Sequence, residues 1–441
     1  MSSMARRSSV NEASAKAASV KAASEEPLRG RGLKAGPFGV LDIGSTKVAC
    51  LIGRAEADGR LRSLGFCWKR SDGIKSGGIV DLDKAERVIR ATVGTAEDMA
   101  DMRLKSVYVN LSCGQPESRL FNVQWPVDGR AVNSDDIRRV VREARIRATT
   151  EGRVTVHTLP LNFSADETPG VTDPRGLFCD TLTAQLHVVD GSSTALRTLA
   201  ACLSRCELDI AGLVSAPYAS GLASLTDDER ELGGVVIDMG GGTTSLAVFF
   251  EGQLIHTSQL PVGGQHVTTD IAMGLSTPIA HAERLKALYG SCHSSPDDSR
   301  ELLPVPSVGE ADHQVAQVPR SHLIACIKPR IEEIFEMTKD RLETAGLGRS
   351  GNGRVVLTGG GSQLGGVRDL AAQILERPVR LGRPAGIIGL PDSAMAPNFS
   401  TLAGLLAFAA GDGQLLPDID FEIERVQGWF SRFVDFLKNR V

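Results

Sequence analysis

Two segments far apart in the chain carry the same chemistry. Val40-Leu-Asp42-Ile-Gly44-Ser45-Thr46-Lys47 and Val236-Ile-Asp238-Met-Gly240-Gly241-Gly242-Thr243-Thr244 each run from an apolar strand through an aspartate into a turn of glycine and hydroxyl residues. Such a turn presents several backbone N–H groups to one side, which is how proteins cradle phosphate oxygens without fixed charge. In the first copy Gly44, Ser45 and Thr46 would supply amides and hydroxyls, and Lys47 a point charge near a β- or γ-phosphate. In the second, Gly240, Gly241, Gly242, Thr243 and Thr244 would do the same from the opposite side. Asp42 and Asp238, each ending a buried strand, are placed to hold the waters of a Mg²⁺ ion that bridges the phosphates. No side chain stands out as a catalytic acid, base or nucleophile.

A third cluster, Leu357-Thr-Gly359-Gly360-Gly361-Ser362, follows a strand over Arg354–Leu357 and precedes a helix from Leu364. Its glycines would let backbone approach a flat adenine ring. Glu283 and Lys286, at i and i+3 on a helix expected over Pro278–Tyr289, share a face from which they could reach a ribose or base. Singly, each signal has a plainer reading: a tight hairpin for the Asp-Gly turn, a solvated face for the Glu/Lys pair. Three of them in this order, two being near-copies, point to ATP and Mg²⁺ held between two similar domains.

The elements that must position these residues read as an α/β fold. A hairpin pairs Phe38–Ile43 with Lys47–Ile52, followed by a strand at Leu61–Trp68, a helix over Leu82–Met99 and a strand at Ser106–Leu111. From Ser118 to about Ser192 the texture changes to a compact α+β piece. It holds a Ser134-capped helix over Asp135–Ala148 and strands at Arg153–Leu159 and Asp180–Val188. The second half restarts with Gly233–Met239, a strand through Phe250, and Gln253–Gln259. The stretch Cys292–Pro319, full of Ser, Pro, Asp and Gly, reads as a loop. Leu402–Ala410 is an apolar helix that closes the fold.

Composition bounds the function. The chain has 441 residues, 42% of them hydrophobic, enough for a substantial core in several units. A net charge of −4 provides no overall field for nucleic acid, and no local basic patch is evident in the body. The eight cysteines are scattered through apolar runs without the paired spacing of zinc or redox sites, and read as reduced core residues of a cytosolic protein. No apolar run reaches the ~18 residues of a membrane span, and the N-terminal segment has no apolar signal core.

Residues 1–35 hold seven basic side chains against three glutamates and little apolar surface, the composition of a disordered tail or of a transient helix on an acidic surface. The C-terminal stretch is different. Val426, Trp429, Phe430, Phe433, Val434, Phe436, Leu437 and Val441 fall on one helical stripe, opposite Arg425, Arg432, Asp435, Lys438 and Arg440. One Trp and three Phe are concentrated here in a chain that is 5% aromatic. An arbitrary stretch of this kind would pack on its own domain. A terminal one, after the polar linker Gly411–Asp420, is expected to lie in a membrane interface, aromatic residues among acyl chains and basic ones toward anionic head groups.

These features resemble the actin-like ATPase superfamily, whose two phosphate motifs match Leu41–Lys47 and Ile237–Thr244 and whose adenosine motif matches Val356–Ser362. Within it the chain is similar to the FtsA family of bacterial cell-division proteins. The resemblance rests on Leu41-Asp-Ile-Gly-Ser-Thr-Lys-Val-Ala, Leu225-Thr-Asp-Asp-Glu-Arg-Glu-Leu-Gly, Leu303-Pro-Val-Pro-Ser-Val-Gly, Val356-Leu-Thr-Gly-Gly-Gly and the helical tail, and covers residues 38–441. It implies a duplicated, ribonuclease H-like fold of two lobes around a nucleotide cleft. Subdomain 1A would begin at 36–117, an inserted domain 1C would occupy 118–192, and 193–263 would return to 1A and start 2A. Subdomain 2B would span 264–345, 346–410 would close 2A and 1A, and a linker at 411–424 would lead to a membrane-targeting helix at 425–441.

The resemblance further implies self-polymerisation on the cytoplasmic face of the inner membrane at the division septum, contact with lipid, and later division proteins as partners. Subdomain 2B would bind the C-terminal peptide of the tubulin-like protein FtsZ. Within it the stretch Ile324–Leu342, expected to kink at Pro329, carries Arg330 in Pro-Arg-Ile-Glu-Glu, and Arg320 precedes it; either could pair with an acidic peptide, or simply be solvated. One departure concerns turnover: Leu208–Leu225 holds no Gln or Glu to orient an attacking water, so at most slow hydrolysis is expected. The alternatives are a small-molecule kinase with the same ATP cradle, or another actin-like scaffold of the rod-shape or pilus type.

Overall fold

A computed structural model describes residues 36–309, 315–348 and 353–411. The basic N-terminal segment and the aromatic C-terminal stretch, with Trp429, Phe430, Phe433, Val434, Phe436 and Leu437, lie outside the described residues.

The chain opens on an antiparallel meander, β1 (Pro37–Ile43), β2 (Lys47–Ala55) and β3 (Leu61–Arg70). Val40, Leu41, Val48, Cys50, Leu51 and Ile52 are fully buried, so β1 and β2 are apolar on both faces. A small ribbon, β4 (Ile74–Lys75) with β5 (Gly78–Ile79), leads into α1 (Leu82–Ala100), whose Asp81 cap accepts from the Lys84 N–H. β6 (Ser106–Leu111) then runs parallel to β1.

At this point the chain leaves the sheet and builds another. β7 (Glu117–Pro126), α2 (Ser134–Ala148), β8 (Arg153–Ala165), β9 (Thr168–Val171) and β10 (Thr181–Ser192) form an antiparallel sheet ordered β7-β10-β8-β9, with α2 on one face. Its separate core includes Val123, Ile137, Val140, Phe163, Leu182 and Leu186. α3 (Ser193–Arg205) returns the chain, and β11 (Asp209–Ser215) joins β6 in parallel.

After α4 (Ala216–Ser224) and α5 (Asp227–Leu232), a second meander follows: β12 (Gly234–Met239), β13 (Thr244–Phe250) and β14 (Gln253–Leu260). A largely helical unit follows, made of α6 (Gly264–Gly274), α7 (Ile279–Tyr289), the ribbon β15 (Leu302–Pro306) with β16 (Val315–Pro319), and α8 (Arg320–Thr344). β17 (Arg354–Thr358) pairs in parallel with β12, and after α9 (Val367–Leu375) β18 (Val379–Leu381) extends that sheet. β19 (Ile387–Ile388) reaches back to β3, and α10 (Ser400–Ala410) ends the described chain.

The duplication expected from the two hairpins extends to whole sheets. One is ordered β11-β6-β1-β2-β3, with β19 added at its edge, and the other β18-β17-β12-β13-β14. Each is an antiparallel meander continued by two parallel strands. Between them lie α4 and α10, both buried along their full lengths. Their core touches Val40 and Leu51 of one sheet and Val236, Ala247 and Val356 of the other. That position explains why Leu402–Ala410 is apolar on all sides yet too short to span a membrane. The two helices cross closely: a Cβ on Gly404 would stand 1.6 Å from the Ala219 carbonyl oxygen.

Three local expectations need correction. Cys292–Pro319 is not simply a loop: it holds a 3-10 turn at Pro296–Ser299 and the β15–β16 ribbon. Leu303 and Val305 are buried while Pro304 is exposed, and a free-standing ribbon has edges where proline removes no needed donor. The cap of α2 is Asn133 rather than Ser134: its side chain accepts from the N–H groups of Asp135 and Asp136, and the Asp136 carboxylate returns to the Asn133 N–H. α8 begins at Arg320, four residues earlier than expected, and runs through Pro329 as one helix.

Candidate functional site

Asp42 and Asp238 occupy the penultimate position of the first strand in their meanders, opposite Ala49 and Ser245. The turns that follow agree at atomic detail. A Cβ on Gly44 would lie 3.0 Å from Lys47 O and one on Gly240 2.8 Å from Thr243 O, in each case the carbonyl three residues on. Gly44 N–H donates to Lys47 O at 3.0 Å.

The two turns and the third glycine cluster open onto one cavity of about 450 Å³. Of the residues singled out in the sequence, Asp42, Gly44, Ser45, Thr46, Lys47, Asp238, Gly240, Gly241, Gly242, Thr243, Glu283, Lys286, Gly359, Gly360 and Gly361 line it. Thr244 and Ser362 do not. Thr244 is the first residue of β13 and is buried, and the Ser362 hydroxyl turns inward to Gly359 O at 2.7 Å. Gly359, at φ +81°, packs where a Cβ would stand 2.3 Å from Asp238 Oδ1, a position only glycine fits.

The carboxylates are held differently. Asp42 is 6% exposed, and Lys47 Nζ stands 3.7 Å from its Oδ2. Burial pushes its carboxyl above the usual range; Lys47 opposes this and the Asp238 charge adds to it. Lys47 also donates to Asn398 O and lies over the Phe399 ring, 4.9 Å from its centre. Asp238 Oδ2 accepts the hydroxyls of Ser220 and of Thr401, the latter at 2.9 Å. These hydroxyls come from α4 and α10, so the helices between the sheets also hold the second aspartate.

At the far end Lys286 Nζ donates to Gly264 O at 2.8 Å, Thr268 Oγ1 at 2.7 Å and Glu283 Oε2 at 2.7 Å, so Glu283 and Lys286 form one fixed corner of the cavity. Ala287, Gly290, Ile331 and Leu364 give that end an apolar wall. Sequence reasoning missed Asn110, Ser220, Asn398 and Thr401. Asn110 accepts the Ile43 N–H at 2.7 Å and donates to Ser112 Oγ at 2.9 Å, fixing the end of β1. A lone asparagine inside an apolar strand was the available signal; the others carry none.

Arg320 and Arg330 do not line this cavity, and both are engaged within the chain. Arg320 pairs with Asp298 at 3.0 Å and Glu301 at 3.2 Å; Arg330 pairs with Asp270 of α6 at 2.6 Å and with Glu333.

Comparison with known proteins decides the family. The cell division protein FtsA of Agrobacterium fabrum is 44% identical over 407 residues, which cover 89% of this chain and 90% of that protein. This chain belongs to the FtsA family of cell division proteins. The FtsA family model matches residues 235–404, and the model of the SHS2 domain inserted in FtsA matches 113–190, the piece that leaves the first sheet. Solved structures add that the FtsA fold here is actin-like. A chain of the PilM-PilN type IV pilus biogenesis complex superposes with a TM-score of 0.61 at 17% identity, covering 86% of this chain and 99% of that one. MreB5 of Spiroplasma citri bound to AMPPNP superposes with a TM-score of 0.52 at 13% identity, covering 85% and 96%. The pilus biogenesis chain and MreB5 thus share the fold, while sequence identity places the chain with FtsA.

Proposed function

We propose that this FtsA-family protein binds ATP and Mg²⁺ in the cleft between its lobes and polymerises on the cytoplasmic face of the cell membrane, where it tethers FtsZ filaments at the division septum. The observation that carries the nucleotide reading is the convergence of four distant segments, 42–47, 238–243, 283–286 and 359–361, on one cavity. Its polar turns suit phosphates and its apolar end suits a base. An actin-like protein of the same fold has been solved with AMPPNP.

A cation fits the residues present. Asp42, pushed toward neutrality by burial, gains from a positive charge beside it. Among the described residues no three His, Cys, Asp or Glu side chains converge to hold a metal unaided. Asp42 and Asp238 would hold Mg²⁺ through water, and the ion would supply charge neutralisation there. Hydrolysis is slow in this reading: residues 208–225 offer no Gln or Glu to orient water, and Asn110 is engaged with Ile43 and Ser112.

The aromatic stretch at 429–437 supplies membrane contact. One such helix binds reversibly, and a polymer multiplies the attachment. In this reading the acidic C-terminal peptide of FtsZ takes Arg320 and Arg330 from the carboxylates that hold them within the 264–345 unit, and the inserted domain is left for later division proteins. Liposome co-sedimentation with ATP and FtsZ tests the whole reading, comparing the full chain with one ending at Gln427. The full chain should pellet and carry FtsZ with it, and the shortened one should leave both in solution. A full chain that stays in the supernatant with and without ATP and FtsZ refutes the tether.

A further inference from the structure

The phosphate turns of the two lobes meet at a tight seam. A Cβ on Gly241 would stand 2.4 Å from Thr46 Cγ2, and one on Gly242 would stand 2.5 Å from Ser45 Oγ and 2.8 Å from Ser76 Cα. One side chain bonds across it. Gln265, in the first turn of α6, donates from Nε2 to Ser45 O at 3.1 Å. Its own backbone N–H donates to Gly241 O at 2.7 Å, and the Gly264 N–H donates to Gly240 O at 2.9 Å. The start of α6 is thus fastened to the second-lobe turn by main chain and to the first-lobe turn by a single carboxamide. Ser45 is fixed from its other side as well, since its Oγ accepts the Gly77 N–H at 2.9 Å.

Two other bonds join the β14 strand to the first-lobe side, but they lie away from the turns. Gln259 Nε2 donates to Ser112 O at 2.9 Å, and the Thr257 N–H donates to Ser118 Oγ at 3.1 Å, at the root of the inserted domain. These hold the lobes together along one flank, and Gln265 closes the phosphate end.

We propose that Gln265 is the latch of the cleft: its bond to the Ser45 carbonyl keeps the two phosphate turns together, and breaking it opens the route by which nucleotide leaves. The inference rests on the nucleotide reading of the cavity. Gln265 is a positioning residue, acting through the Ser45 turn. A carboxamide suits the task, because it gives a donor to a carbonyl without placing a charge beside phosphates. A carboxylate of the same shape could not donate and would repel them.

Two measurements on the full chain test this. In the nucleotide-free protein, hydrogen exchange of peptides spanning residues 44–47 should quicken roughly tenfold in Q265A, the equivalent of about 1.4 kcal/mol for one lost hydrogen bond. Release of a fluorescent ATP analogue should quicken by a similar factor in Q265A and at least as much in Q265E. Q265N, one methylene short, should behave like Q265A. Wild-type exchange in Q265A, or wild-type release in Q265E, overturns the latch. If the unmodified protein does not retain the analogue while exchange still quickens in Q265A, the nucleotide reading fails and the latch stands as a link between lobes. If it retains the analogue and neither rate changes in Q265A, the latch fails and the nucleotide reading stands.

Discussion

Asp42 and Asp238 take the same position in matching hairpins but face opposite partners: Asp42 stands beside a cation, with Lys47 at 3.7 Å, and Asp238 accepts two hydroxyls, Ser220 and Thr401. Duplication has kept the backbone and changed the surroundings. Asp42 relies on a neighbour in its own hairpin, whereas Asp238 is tied to the two helices that lie between the lobes.

The consequence is a trade between stability and binding at Asp42. Its folded-state pKa is raised by burial, so the fold binds its proton more tightly than the unfolded chain does. The group's contribution to stability therefore falls as pH rises from the unfolded carboxylate range through the folded value, so ionisable Asp42 costs stability above the unfolded range. D42N should raise the melting temperature of the nucleotide-free protein at pH 7 by about 1 °C or more while weakening Mg-ATP binding at least about tenfold. Calorimetry of D42N beside the unmodified protein checks this; a destabilised D42N at pH 7 would contradict it.

The two hairpins were legible because the strand ending in Asp followed by Gly and hydroxyl residues occurs twice; a single copy reads as no more than a tight hairpin. The corner made by Glu283 and Lys286 was legible from their i, i+3 spacing. Ser220, Asn398 and Thr401 were not, since a helix hydroxyl has many possible local partners and only tertiary structure brings Asp238 to the Ser220 and Thr401 hydroxyls and Lys47 to the Asn398 main-chain carbonyl. The β15–β16 ribbon was hidden by its prolines, which mark a loop unless an exposed edge is foreseen. Thr244 and Ser362 share those stretches of sequence, but both are buried away from the cavity, Thr244 at the start of β13 and Ser362 with its hydroxyl on Gly359 O.

The crossing of α4 and α10 leaves no room at Gly404. A methyl group there would meet the Ala219 carbonyl, which is helix backbone and cannot step aside. G404A should cost roughly 2–4 kcal/mol of stability, lowering the urea midpoint of unfolding, and a larger residue should prevent folding. An unchanged midpoint for G404A would mean that the helices lie further apart than described.

The inserted domain carries its own pH dependence. The Asp136 carboxylate is fully buried at the start of α2, takes both Arg130 amino groups at 2.6 Å, and accepts the Asn133 N–H at 3.0 Å. The Arg130 guanidinium holds its carboxyl below the usual range, outweighing the effect of burial. A lowered folded pKa stabilises the protein above the unfolded carboxylate value, and that stability is lost as pH falls through the folded one. D136N should therefore cost about 1.5–3 kcal/mol at pH 7, with the gap to wild type closing as pH drops below about 4. Thermal melts across pH 3–7 would show the two curves converging; a constant gap would place the cost in packing alone.

Arg330 can be separated into strut and recognition residue through its partner Asp270. The pair joins α8 to α6, with Arg330 Nε 2.6 Å from Asp270 Oδ2 and Nη2 3.1 Å from Oδ1. If the guanidinium is what an acidic FtsZ peptide meets, the peptide competes with Asp270 for the same donors. R330A should then weaken binding of a labelled C-terminal peptide about fivefold or more, and D270A, which frees the guanidinium, should leave affinity equal or tighter. Both effects should shrink as salt rises toward 0.5 M, because the groups are partly exposed. A strut predicts otherwise: R330A and D270A would lower the melting temperature together and leave peptide affinity unchanged. Fluorescence anisotropy beside thermal melts of the two variants distinguishes the cases, since recognition separates the variants by affinity while a strut makes them alike.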